Sequence, residues 1–138
     1  MGTRSLRIDS APVALRLPFS AASVAEARHR LKHWMRQQGV STEGIEDARV
    51  IVSELVGNAV RHARPLPDGT IQVSWKAVPH GIQLSVTDGG SSTRPHRVNA
   101  SSSALAGRGM AIVDSLAYRW WIDQTHSRCT VNAVLPTA

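Results

Sequence analysis

Glu54 and Asn58 stand four residues apart in Ser53-Glu54-Leu55-Val56-Gly57-Asn58-Ala59-Val60-Arg61-His62-Ala63, and His62 follows four residues later. On a helix that spacing leaves Glu54 and Asn58 about 40° apart around the axis, so a carboxylate and an amide project side by side with an imidazole one turn on. Taken alone, such residues are what the solvated side of any amphipathic helix carries. Two later elements change the reading: Asp88-Gly89-Gly90, which closes an apolar alternation, and Gly107-Arg108-Gly109, which opens a helical pattern. A helix start exposes backbone N–H groups with no intrahelical acceptor, and these can bind phosphate. Each glycine element is by itself an ordinary turn signal; their order after the Glu–Asn pair points to one ligand shared by three elements. The pattern is neither a dinucleotide fingerprint, because Gly107 and Gly109 lack the third glycine, nor a Walker loop, because no Gly-Lys-Ser/Thr follows.

The elements that must position these groups can be read from periodicity. Ala48, Val52, Leu55, Val56, Ala59 and Ala63 gather on one side of a helix predicted from Ile45 to Ala63, capped within Ser41-Thr42-Glu43-Gly44 and ended by Pro65 and Pro67. Before it, Val13–Leu17 alternates as a strand closed by Pro18. A helix capped by Ser20 or Ser23 then carries Val24, Ala27, Leu31, Trp34 and Met35 until Gly39. Thr70–Val78 and Ile82–Thr87 alternate around Pro79-His80-Gly81 and predict an antiparallel hairpin. The stretch from Gly89 to Ala106 holds five serines and few apolar residues, and is expected to form a mobile lid. A short helix through Ile112, Val113, Leu116 and Ala117 follows, then strands Tyr118–Gln124 and Arg128–Leu135 turning near His126. Helices on one face of a mixed, largely antiparallel sheet make a two-layer α+β fold, with residues 1–12 a flexible tail and 13–138 the single domain. The other face of the sheet needs either polar side chains or a partner. Trp120-Trp121 puts one indole on each face.

The chain has 138 residues, of which 42% are hydrophobic and 19% charged, enough to organise one core and too few for two. Its 16 Lys and Arg against 10 Asp and Glu give +6, favouring phosphate-bearing or acidic partners, but the basic residues are scattered from Arg4 to Arg128 without a nucleic-acid-sized run. Direct nucleic-acid binding is therefore not expected. Neither is a metal enzyme, since His29 and His33 share a helical face with no third ligand near, nor a Ser-His-Asp hydrolase, since no nucleophile elbow is present. The lone Cys129 excludes an internal disulfide, and no run of about 18 apolar residues could span a bilayer. A cytoplasmic protein with no membrane association is expected.

The Ser53–Ala63 segment closely resembles the N box of the GHKL, or Bergerat, ATPase superfamily that contains gyrase B, histidine kinases and MutL. Its Glu-Leu-Val-x-Asn-Ala-x-x-His-Ala form is similar to the anti-sigma serine/threonine kinase branch. Val86-Thr87-Asp88-Gly89-Gly90 resembles the first glycine box, and Gly107-Arg108-Gly109-Met110-Ala111-Ile112-Val113 the second, with Met110 where leucine is commoner. The resemblance spans residues 13–135, and the phosphoacceptor helices of sensor kinases have no counterpart here.

That resemblance implies a Bergerat-type ATP-binding domain using ATP and Mg2+. It implies that Asp88 accepts a hydrogen bond from the adenine amino group, that Gly90 lets the backbone approach the base, and that Asn58 coordinates magnesium. Glu54 is implied as general base, His62 as part of the nucleotide-binding box, and Gly107, Arg108, Gly109 and Met110 as the phosphate side, with Arg108 or Arg94 adding charge. The family's last box is Gly-x-Thr or Gly-Lys-Thr; here Arg128-Cys129-Thr130 stands in its place. Thr130 is expected to keep a hydroxyl near adenine over an altered pocket floor, with lowered affinity. The implied function is that of an anti-sigma factor phosphorylating an antagonist of the STAS type on serine or threonine, with a sigma factor as second partner and a homodimer suggested. The alternative is a non-catalytic, ATP-dependent docking module.

Overall fold

The computed structural model describes residues 11–90 and 107–136, and for Gly107, Arg108 and Gly109 the backbone alone. Most of the expected lid, with Arg94, and most of the expected tail lie outside the described residues.

Alternation builds the sheet. In β1 (Val13–Pro18) Leu15 and Leu17 are buried while Ala14 and Arg16 are exposed. In β2 (Thr70–Val78) Ile71, Val73 and Trp75 face inward, and in β3 (Gly81–Asp88) Ile82, Leu84, Val86 and Asp88 do. β4 (Arg119–Gln124) and β5 (Cys129–Pro136) complete a five-stranded sheet in the order β1-β2-β3-β5-β4. Every pairing is antiparallel, so the two-layer α+β expectation holds and no parallel strand occurs among the described residues. The hairpin turn is Pro79-His80 alone: Gly81 already pairs with Val78 in β3, and His80 takes the positive φ of 65°.

Three helices cover the inward face. α1 (Ala22–Gln37) lays Ala27, Leu31, Trp34 and Met35 on the core, with the Trp34 ring 6.4 Å from that of Trp75 in β2. Its start differs from the serine cap expected. The N-cap is Ala21 with no side-chain bond, because Ser23 lies within the first turn, buried, and its hydroxyl donates back to the Pro18 carbonyl. α2 (Thr42–His62) is capped as expected, Ser41 Oγ accepting from Gly44 N at 3.1 Å. Ala63 is not in it; the chain turns extended there (φ −116°, ψ −175°), two residues before the helix-excluding Pro65. α2 packs against β3, β5 and both other helices, and α3 (Gly107–Leu116) packs on α2 and β4. Each fully buried aliphatic side chain of this core, such as Leu31, Ile51 or Leu84, contributes about 1.5–3 kcal/mol relative to exposure.

The sheet's outer face is polar rather than covered. Ser85 Oγ donates to Asn132 Oδ1 at 2.7 Å, Asn132 Nδ2 donates to Asp123 Oδ2 at 3.0 Å, and the hydroxyls of Thr87 and Thr130 are 2.8 Å apart. The two adjacent indoles divide as alternation requires. Trp120 is buried and donates to Asp114, while Trp121 lies outside under the Arg119 guanidinium, 4.4 Å from the ring centroid. No helix among the described residues is long and apolar enough to cross a membrane.

Candidate functional site

Leu55, Val56 and Ala59 anchor α2 on the sheet, and this fixes where Glu54 and Asn58 stand. Both are half-buried. Glu54 makes no side-chain hydrogen bond or ion pair with another described residue. Asn58 Oδ1 accepts from Arg61 Nη2 at 3.1 Å, an i,i+3 contact along the helix surface. His62 is exposed at the helix's last residue, and Arg61 and His62 both complement the negative end of the helix dipole.

The end of α2 is tied to the end of β3 by main-chain bonds. Arg64 N donates to Gly90 O at 2.9 Å and Gly89 N donates to Arg64 O at 2.8 Å. The two segments come so close that a Cβ on Gly89 would collide with the Pro65 carbonyl. Gly90 takes φ +86°, a conformation that side chains disfavour. Asp88, only 1% exposed, is held in the same turn, its Oδ1 accepting from Gly90 N at 2.7 Å. Gly90, expected to let the backbone approach the base, makes the turn, and Gly89, which the sequence reading did not single out, makes a close approach to the Pro65 carbonyl.

The third element reaches the same helix. α3 begins at Gly107, so the second glycine box forms its first turn, and Met110 (6% exposed) and Val113 join the core against α2. Thus the Asp88–Gly90 turn is tied to the end of α2, and α3 packs on the same helix.

Thr130 stands elsewhere. The register pairs Asp88 with Cys129 and Thr87 with Thr130, and the Thr130 hydroxyl is bonded to Thr87 on the polar outer face. The residue beside Asp88 on the helix side is Cys129, fully buried. The structure thus does not bring the Thr130 hydroxyl beside Asp88: with a side-chain period of two, that position is occupied by the Cys129 thiol.

The donor set fits a nucleotide with its cation. Asn58 Oδ1 is a neutral oxygen of the kind magnesium takes, and its protein partner is an exposed, flexible guanidinium. Among the described residues no three His, Cys, Asp or Glu side chains cluster, so a cation at Asn58 would draw most of its ligands from phosphate and water.

Residues 17–134 match the model of the histidine kinase-like ATPase domain. The serine-protein kinase RsbW of Listeria innocua is 30% identical over 116 residues, covering 75% of this chain and 74% of that protein. RsbW of Staphylococcus epidermidis is 34% identical over 82 residues, 58% of this chain and 52% of its own. Among solved structures, that of the RsbU and RsbW domains of Rv1364c from Mycobacterium tuberculosis superposes with TM-score 0.70 at 21% identity, covering 92% of this chain and 32% of that one. The SiaB-SiaC complex of Pseudomonas aeruginosa superposes with TM-score 0.66 at 10% identity over 89% of this chain and 88% of that one. The chain belongs to the histidine kinase-like ATPase domain family, on the branch that holds the RsbW serine-protein kinases.

Proposed function

We propose that this chain is an anti-sigma factor kinase: it binds ATP with magnesium, phosphorylates an antagonist protein of the STAS type on serine or threonine, and binds a sigma factor as its other partner. The observation that carries the reading is the main-chain tie between α2 and β3, which locks the element bearing Glu54 and Asn58 to the turn bearing Asp88. Its relatives' name, serine-protein kinase, supports the reaction class. When bound, magnesium-ATP supplies the transferable phosphoryl group and the charge neutralisation for its transfer.

The chain's own residues then have separable tasks. Asp88 accepts the adenine amino N–H; its bond from Gly90 N keeps the carboxylate aimed. Asn58 presents its amide oxygen to the cation. Backbone N–H groups at the start of α3, around Gly107, Arg108 and Gly109, face phosphate. Glu54 takes the proton from the partner's hydroxyl as that oxygen bonds to phosphorus and ADP leaves.

The test is a calorimetric titration with ATP, with and without magnesium, on the parent and Asn58→Ala. Magnesium-dependent binding present in the parent and absent in Asn58→Ala is expected, and no binding at millimolar ATP would overturn the reading. Glu54→Gln should keep ATP binding and lower partner phosphorylation about 10²–10⁴-fold; unchanged phosphorylation would remove Glu54 as the base. One observation favours a second reading, a docking module without catalysis: Cys129 puts a weakly bonding thiol beside Asp88. That module predicts ATP-dependent partner binding with no phosphoryl transfer.

A further inference from the structure

The amide oxygen offered to the cation already has a positively charged partner. Arg61 Nη2 donates to Asn58 Oδ1 at 3.1 Å, and the same guanidinium lies back over Gly57, where an added Cβ would stand 3.1 Å from Nη1. A glycine inside a helix is destabilising, so its place here has a reason: the bare surface gives the guanidinium room to lie along the helix and reach Asn58. Arg61 and Arg64 are both exposed around this end of α2, so a bare divalent cation meets like charge there, whereas a polyphosphate meets opposite charge.

We infer that Arg61 is a positioning residue that makes cation capture by Asn58 conditional on the arrival of polyphosphate. While the guanidinium occupies Oδ1, a cation cannot take it without displacing a charged donor. A triphosphate offers that guanidinium stronger, charge-assisted and bidentate partners. Arg61 then turns to phosphate, and the amide oxygen becomes free for the cation that the phosphates bring. The inference rests on the nucleotide reading of the site.

Its test is calorimetry on the full chain, ATP binding in chelator and magnesium binding without nucleotide, for the parent, Arg61→Leu and Arg61→Lys. With the competing donor gone, Arg61→Leu should take up magnesium without nucleotide at about fivefold lower concentration than the parent, as expected for loss of one net hydrogen bond. In chelator its ATP affinity should fall about fivefold, because the phosphate partner has gone too, and Arg61→Lys should recover much of that affinity. A side chain that merely supported the helix would move the melting temperature and neither of these quantities. Magnesium curves that superimpose for parent and Arg61→Leu overturn the inference, as does an unchanged affinity in chelator. If the parent binds ATP with magnesium and Asn58→Ala abolishes this while Arg61→Leu changes nothing, the inference alone falls. If the parent shows no magnesium-dependent binding, both fall.

Discussion

Replacing Gly89 with alanine tests the tie on which the site depends. The new methyl would be driven into the Pro65 carbonyl, a backbone atom that cannot swing aside as a side chain does. Relief requires the Ala63–Pro65 linker and the end of β3 to separate, and that breaks the pair of bonds between Arg64 and residues 89 and 90. Two net backbone hydrogen bonds account for about 1–3 kcal/mol, and overpacking adds about 1–3 kcal/mol, so Gly89→Ala should cost about 3 kcal/mol. Urea unfolding followed by tryptophan fluorescence and by far-ultraviolet circular dichroism should show a lowered midpoint with unchanged slope. The melting temperature should drop by about 10 °C for a domain of this size. Gly90→Ala is the control. Its φ of +86° costs about 1–2 kcal/mol through left-handed strain alone, with no backbone atom in the way. A Gly89→Ala protein within about 0.5 kcal/mol of the parent, or one more stable than Gly90→Ala, would refute the reasoning.

Two further predictions address other parts of the molecule. Cys129→Ser sets a hydroxyl beside Asp88 and should tighten ATP binding about fivefold, the effect of one net hydrogen bond; Thr130→Val should leave ATP affinity unchanged, since that hydroxyl pairs with Thr87 on the outer face, and a loss of affinity in Thr130→Val would show the face assignment to be wrong. The Asp68 carboxyl is held below the usual carboxylate range by the Thr70 hydroxyl first and by the Arg16 guanidinium. A depressed folded-state pKa gives stability that is present above the unfolded carboxylate pKa and lost as pH falls through the lower folded value. The melting temperatures of Asp68→Asn and the parent should therefore differ at pH 7 and converge as pH falls below the unfolded carboxylate pKa of about 3.9; a difference that persists at acid pH would rule this out.

Much of this was legible because periodicity and capping act locally. The Ser41 cap, the long helix carrying Glu54 and Asn58, the hairpin and the five strands all follow from residue spacing. What escaped the sequence depends on groups far apart in it. Ser23 looked like a cap for α1 but serves β1's Pro18 instead, since only the folded chain shows that carbonyl waiting for a donor. Gly89 was not singled out, because nothing near it in the sequence announces that Pro65 passes within contact. Thr130 lies one residue out of step with Cys129, the partner of Asp88, and in a strand one residue is a change of face.

The last case shows what holds such a site together. The Asp88 carboxylate accepts from Gly90 N, and main-chain bonds join Gly89 and Gly90 to Arg64. That arrangement requires the absence of a side chain at position 89 and freedom of φ at position 90. Under the proposed function, side-chain identity matters at Glu54, Asn58 and Asp88, and in the residues proposed to tune them, Arg61 through the amide oxygen and Cys129 beside the carboxylate. On that reading Arg61 and Cys129 are the positions where affinity and cation dependence would change without disturbing the frame, because Arg61 is exposed and Cys129 fills buried space.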